Sequence, residues 1–228
     1  MKGIIFSEEM IRAIQDGSKS MTRRIVNPQP PKGSILNTVY LCGTFEFKLL
    51  LQLDPLHDHA IYTHLKPKYQ LGDVLYVKEK FDYLPIPDFD NPILYYAADD
   101  NPMLEGIKVK WSSPIYMPKK AARIFLRVTE TKIEKIQDIT IDDVIHEGIE
   151  FIYLPGSPSY RYNEDYLSAC EEETIELYIK LWDKLNGKKQ GCSWKENPWI
   201  TAISFKQISR EEAFTGFIPD KINNFEIF

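Results

Sequence analysis

A chain of 228 residues, 43% hydrophobic and 27% charged, is long enough to bury a proper core as one large domain with insertions. Its 28 Lys and Arg against 33 Asp and Glu give a net charge of −5, which argues against a broad basic nucleic-acid face while leaving room for a local one. Three widely spaced cysteines, Cys42, Cys170 and Cys192, with no CxxC, argue against a disulfide scaffold or a zinc module; they fit a reducing cytosol, and no metal or cofactor is expected.

Ile4 to Phe6 predicts a short strand. Ser7 then offers a capping oxygen, Glu8 and Glu9 suit a positive helix end, and Met10, Ala13 and Ile14 fall at helical spacing before Gly17 stops the helix. The apolar run at the N-terminus is too short for a signal peptide, and no stretch approaches the ~20 residues of a membrane span. Ile25-Val26 begins a strand before the loop Asn27-Pro28-Gln29-Pro30-Pro31, and Ser34 to Leu53 alternates well enough for one or two strands. Asp54-Pro55-Leu56-His57-Asp58-His59 reads as a polar loop; its histidines lie near Cys42 at no usual zinc spacing. A turn at Gly72-Asp73 precedes a buried strand, Val74 to Val77.

Phe81 to Lys120 is rich in Pro and aromatics and reads as an insertion with short strands, Leu94-Tyr95-Tyr96-Ala97 the best of them. Ile124, Leu126 and Val128 alternate with Arg123, Phe125 and Arg127 as a half-buried strand. Thr140-Ile141-Asp142-Asp143 has the pattern of a capping box and opens a short helix that ends at Gly148. Leu154 to Ser159 reads as a loop within a second insertion, about 149–170. A helix is expected over about 171–185, with Ile175, Tyr178, Trp182 and Leu185 facing inward and Asn186-Gly187 as its stop. Trp199 to Phe205 is the last strand. Strands interleaved with short helices, without regular βαβ repeats, predict a single α+β domain of barrel-like form.

The candidate site is the stretch Asp16-Gly17-Ser18-Lys19-Ser20-Met21-Thr22-Arg23-Arg24. It is not a phosphate-binding P-loop, because Gly17 and Lys19 lack that spacing and follow a helix. Lys19 and Thr22 are three apart, so a turn or helical bend would set them side by side. An amine beside a hydroxyl is a nucleophile arrangement, provided the lysine is neutral part of the time. Burial and the neighbouring Arg23 and Arg24 would both lower its pKa, and the same arginines suit a phosphate or an oxyanion. The alternative is an ordinary solvated corner after a helix.

Gly17-x-Lys19-x-x-Thr22-x-Arg24 resembles the G-x-K-x-x-T-x-R motif of the ASCH domain family, which has a PUA-like fold. Gly72-Asp73-Val74-Leu75 resembles the family's G-D-x-L turn. Trp111, Met117-Pro118, Arg123, Ile136 to Ile139, Glu147-Gly148-Ile149, Trp182-Asp183, Asn186-Gly187 and Asn197-Pro198-Trp199 resemble, in order, its longer phage and prophage members. One departure is Tyr76-Val77-Lys78-Glu79, where those proteins usually read Trp-Val-Arg-Glu; a lysine cannot reproduce a bidentate arginine contact.

The resemblance implies a PUA-like mixed β-barrel with short flanking helices, and a nucleoside, RNA or DNA partner in the cytoplasm of a bacterial host or phage-infected cell, with no membrane. It also implies amide hydrolysis of N4-acetylcytidine, the activity of the family's smallest bacterial members. Their catalytic lysine, threonine and glutamate fall on Lys19, Thr22 and Glu147. Glu147 sits at the end of its helix, where a carboxylate opposes the dipole; an exposed, water-screened glutamate is the plain alternative. His146 beside it reads as a surface residue. Arg23, Arg24, Arg123, Tyr160, Arg161 and Tyr162 are the candidate binding residues, with the tyrosines, Tyr166 included, suited to stacking on bases. A binding module with no chemistry remains the second expectation, and a phage interaction protein with an ASCH scaffold the third.

Overall fold

The computed structural model describes residues 1–39, 44–54, 57–84, 92–154 and 164–215. Helices and strands contribute together, in an α+β arrangement of mixed sheets. The chain divides into two compact units, Met1–Arg12 with Gly72–Arg127 and Lys206–Phe228, and Ala13–Leu71 with Val128–Phe205.

In the first unit, β1 (Lys2–Ile5) runs parallel to β6 (Val74–Lys78), which pairs antiparallel with the start of β9 (Phe125–Lys135), Leu75 opposite Leu126. Gly72, at φ 82°, makes the tight turn into β6. A small hairpin, β7 (Phe81–Leu84) with β8 (Ile93–Tyr96), carries the aromatics of the expected insertion. Phe81, Met117, Ala122 and Phe125 form the core, joined by Ile208 and by Ala213 of α4 (Arg210–Thr215).

In the second unit, β2 (Met21–Ile25) pairs antiparallel with β10 (Trp199–Ile208), Thr22 opposite Ile203. A separate antiparallel sheet has the order β3 (Ile35–Val39), β4 (Phe45–Asp54), β5 (His57–Leu65). Phe45 and Phe47 of β4 pack with Val26 and Ile133, and Phe47 meets Trp199 edge to face at 4.9 Å. The short helix α2 (Ile141–His146) and the long helix α3 (Glu164–Asn186) bury Val144, Tyr178 and Trp182 against Ile200 and Ala202. Among the described residues these sheets are open, and none closes into a barrel.

Several elements depart from expectation for local reasons. The strand expected from Ile25 begins at Met21, because its partner β10 is long enough to pair the whole segment. His57 opens β5 instead of lying in a loop: β4 and β5 continue their ladder from Phe45 opposite Leu65 to Asp54 opposite His57. Phe125, expected to face outward, is fully buried along with Leu126, because Phe81, Met117 and Ala122 of the first unit pack against it. The long helix α3, expected from about residue 171, starts at Glu164, and Leu185 on its expected inner face is 48% exposed. Beyond the last expected strand a further helix forms, α4, capped by Ser209, whose hydroxyl oxygen accepts from the Glu212 nitrogen at 3.0 Å. Tyr160, Arg161 and Tyr162, with the loop expected at 155–159, lie outside the described residues.

Candidate active site

The site forms in the second unit, where the chain leaving one helix meets the end of another. Before it, α1 (Glu8–Gln15) gives way at Gly17, whose φ of 85° suits only glycine well. Asp16 accepts from the Ser18 nitrogen at 2.8 Å, and the Lys19 nitrogen donates back to the Ala13 carbonyl at 2.8 Å. These contacts fix the lead-in to β2. On the other side, Thr140 caps α2 by accepting from the Asp143 nitrogen, while Asp143 accepts from the Thr140 nitrogen. The helix ends at Glu147, and Gly148 takes φ 88°.

Lys19 and Glu147, 128 residues apart, form an isolated antiparallel bridge, and the Ser20 nitrogen donates to the His146 carbonyl at 2.9 Å. The approach is close enough that a Cβ on Gly148 would lie 3.1 Å from the Cβ atoms of Ala13 and Lys19. Their side chains then meet: Lys19 Nζ donates to Glu147 Oε2 at 2.6 Å and to the Glu147 carbonyl at 2.7 Å. The pair is sealed from solvent, with the lysine side chain 0% and the glutamate side chain 5% exposed.

Arg23 joins the same cluster. Its Nη2 donates to Glu134 Oε1 at 2.9 Å and to Asp143 Oδ2 at 2.7 Å, and Nη1 lies 3.6 Å from Glu147 Oε1. Its side chain is 1% exposed, so this guanidinium is an interior ion and not a surface phosphate contact. Arg24, opposite Thr201 in the ladder, is half-buried.

The electrostatics follow from burial. Desolvation pushes the Lys19 amine below its ordinary range; Glu147 opposes the shift and Arg24 and Arg23 reinforce it. Burial pushes Asp143 up, but Arg23 and the Thr140 hydrogen bonds outweigh it and hold the carboxyl low. At Glu134 burial wins over Arg23, and the carboxyl is raised. Burial also holds the Tyr178 phenol well above its usual value, beside Glu147 and Arg23.

Thr22 is placed differently from the expected side-by-side geometry. Thr22 lies in β2, which runs extended from Met21, and Lys19 precedes it in an isolated bridge, whereas the expectation required a turn. Thr22 is buried and lies opposite Ile203; among the described residues no hydrogen bond joins its hydroxyl to Lys19 or Glu147.

Arg123 belongs to the first unit. Its Nε and Nη2 grip both oxygens of the fully buried Glu79 at 3.0 and 2.8 Å, and Nη1 reaches Asp99 at 2.7 Å. The guanidinium stacks 3.9 Å above the Tyr96 ring, and these partners raise its pKa although burial alone would lower it. The protein's own carboxylates thus occupy the fork expected to bind a ligand. Lys78 donates to the Ile115 carbonyl, the Tyr166 hydroxyl to the Leu154 carbonyl at 2.6 Å, and His146 Nδ1 lies 2.7 Å from the Asp142 carbonyl.

Glu134, Tyr178 and Glu79 escaped the sequence reading. Glu134 sits in an alternating strand with nothing to mark it, and Tyr178 reads as core. Glu79 ends the Tyr76-Val77-Lys78-Glu79 run, where nothing in the sequence marks it as buried. Among the described residues no group of three or more His, Cys, Asp or Glu is arranged to hold a metal ion, and no helix is long and apolar enough to cross a membrane. No protein-family model, curated protein or solved structure matches the chain, so the family resemblance stands on the residues alone.

Proposed function

We propose that this chain is an ASCH-type protein of PUA-like fold that acts on nucleosides or RNA, and that Lys19, Thr22 and Glu147 hydrolyse the amide of an acylated cytidine-type base. The buried Lys19–Glu147 pair carries the reading: two distant segments bring an amine and a carboxylate together at 2.6 Å, where isolation from water lowers the lysine's proton affinity.

In the proposed reaction, neutral Lys19 takes the Thr22 hydroxyl proton as the oxygen bonds to the amide carbonyl carbon. Arg24 or backbone N–H groups hold the resulting oxyanion. The carbon–nitrogen bond breaks as Glu147 protonates the departing amino group, leaving an acyl-threonine. Water then attacks that ester and gives its proton to Glu147, while Lys19 returns the proton it took to the departing threonine oxygen; the acid is released and both groups regain their starting states. Substrate binding must bring Thr22 to Lys19, which donates to Glu147 in the free chain; such contacts commonly tighten only in the complex. The test is release of cytidine from N4-acetylcytidine. Wild type turns over; Lys19→Ala and Thr22→Ala do not. A wild-type protein inert toward a panel of acylated nucleosides removes the reading.

The depth of the pair favours a second reading, in which the site does no chemistry. Lys19 and Glu147 then fasten the start of β2 to the end of α2, and the protein binds RNA or DNA through its surface. This reading expects salt-sensitive retention of nucleic acid, weakened by Arg24→Ala, and no detectable retention at low salt contradicts it.

A further inference from the structure

Two buried polar atoms of the cluster lack a hydrogen bond among the described residues: Oε1 of Glu147 and Nε of Arg23. Buried polar atoms are nearly always satisfied, so such orphans call for a physical account. Glu147 Oε1 faces Arg23 Nη1 across 3.6 Å, too long for a good hydrogen bond but close for an ion pair. The guanidinium is held on its other side by Glu134 and Asp143, at 2.9 and 2.7 Å. The second oxygen, Oε2, faces Lys19. One carboxylate thus lies between two cations, with one oxygen toward each.

We propose that Arg23 is the positioning residue of the Lys19–Glu147 pair: anchored on β9 and α2, it holds Oε1 of Glu147 and leaves Oε2 to the lysine amine. The inference takes its catalytic meaning from the acid–base reading above. A fixed cation beside the pair also disfavours the charged lysine, so Lys19 gives up its proton at lower pH than it otherwise would. The groups facing the pair are Arg23 and Arg24 on β2 and Tyr178 on α3, while Glu134 on β9 and Asp143 on α2 face Arg23. Tyr178, held high by burial, brings no charge in the relevant range. Glu134 touches Arg23 and not Lys19, so its influence on the lysine is carried by the guanidinium.

The test is the titration of Lys19 in the full chain, followed by NMR with isotope-labelled lysine. Arg23→Gln raises the Lys19 midpoint by about one pH unit or more, a tenfold change in proton affinity, and Arg23→Lys restores it toward wild type. A folded Arg23→Gln protein with an unchanged or lowered midpoint overturns the proposal, as does an Arg23→Lys midpoint equal to that of Arg23→Gln. Where Arg23→Gln fails to fold, Glu134→Gln decides. It leaves the guanidinium less compensated and lowers the midpoint; an unchanged or raised midpoint overturns the proposal. Turnover is scored separately on N4-acetylcytidine. Expected titrations in an inert protein remove the acid–base reading and leave Arg23's role standing, whereas turnover with unmoved titrations does the reverse.

Discussion

At Lys19 the amine is fully buried and paired with Glu147. Breaking such a pair leaves an uncompensated ion in the interior, so Glu147→Ala destabilises the fold by about 3–5 kcal/mol in urea unfolding. Replacing both residues together, Lys19→Met with Glu147→Leu, removes both desolvation penalties and recovers most of that loss. A double variant that folds well but lacks turnover separates chemistry from support. The pH dependence has a definite sign. Burial holds Lys19 below its ordinary value of about 10.4, so between its folded midpoint and that value the unfolded chain binds more protons. Stability from this group is present above about 10.4 and is lost as pH falls through the folded midpoint. The difference in unfolding free energy between wild type and Lys19→Met therefore changes across that window; a flat difference contradicts the assignment.

The elements that deliver these residues were legible in unequal degree. Thr140 and Asp143 stand at capping-box spacing, and the helix forms there with both reciprocal bonds made. Thr140→Ala accordingly costs about 1 kcal/mol of stability by thermal or urea unfolding. Gly148 is legible as a helix stop, but its closeness to Lys19 is a tertiary fact. Gly148→Ala combines an unfavourable left-handed backbone, about 1–2 kcal/mol, with crowding of Ala13 and Lys19. The pairing of Lys19 with Glu147 could be expected from family resemblance, since both positions were named by it. The geometry of Thr22 could not. Whether Lys19 to Arg24 turns or extends depends on β10, a partner more than 170 residues further on, and that choice decides which side chains share a face. The same applies to Arg23, whose position in the sequence reads as surface charge while the fold sets it among three carboxylates.

Among the described residues, two buried ionic clusters serve as separate supports, one in each compact unit. In the first, Arg123 neutralises Glu79, and Arg123→Met leaves that carboxylate buried and unpaired, with a predicted loss of about 3–5 kcal/mol in unfolding experiments. The acidic balance of −5 agrees with the burial of Arg23 and with the internal pairing of Arg123: cations that looked available for phosphate are neutralised inside the protein. A small uncharged nucleoside suits that balance better than a long polyanion.

The most direct measurement is incubation of the purified chain with N4-acetylcytidine and a panel of other acylated nucleosides, with the freed base and acid quantified against Thr22→Ala shown to be folded. The expected result is that wild type releases both products and the variant releases neither. An inert wild type, or a folded Thr22→Ala protein as active as wild type, would contradict the proposed reaction.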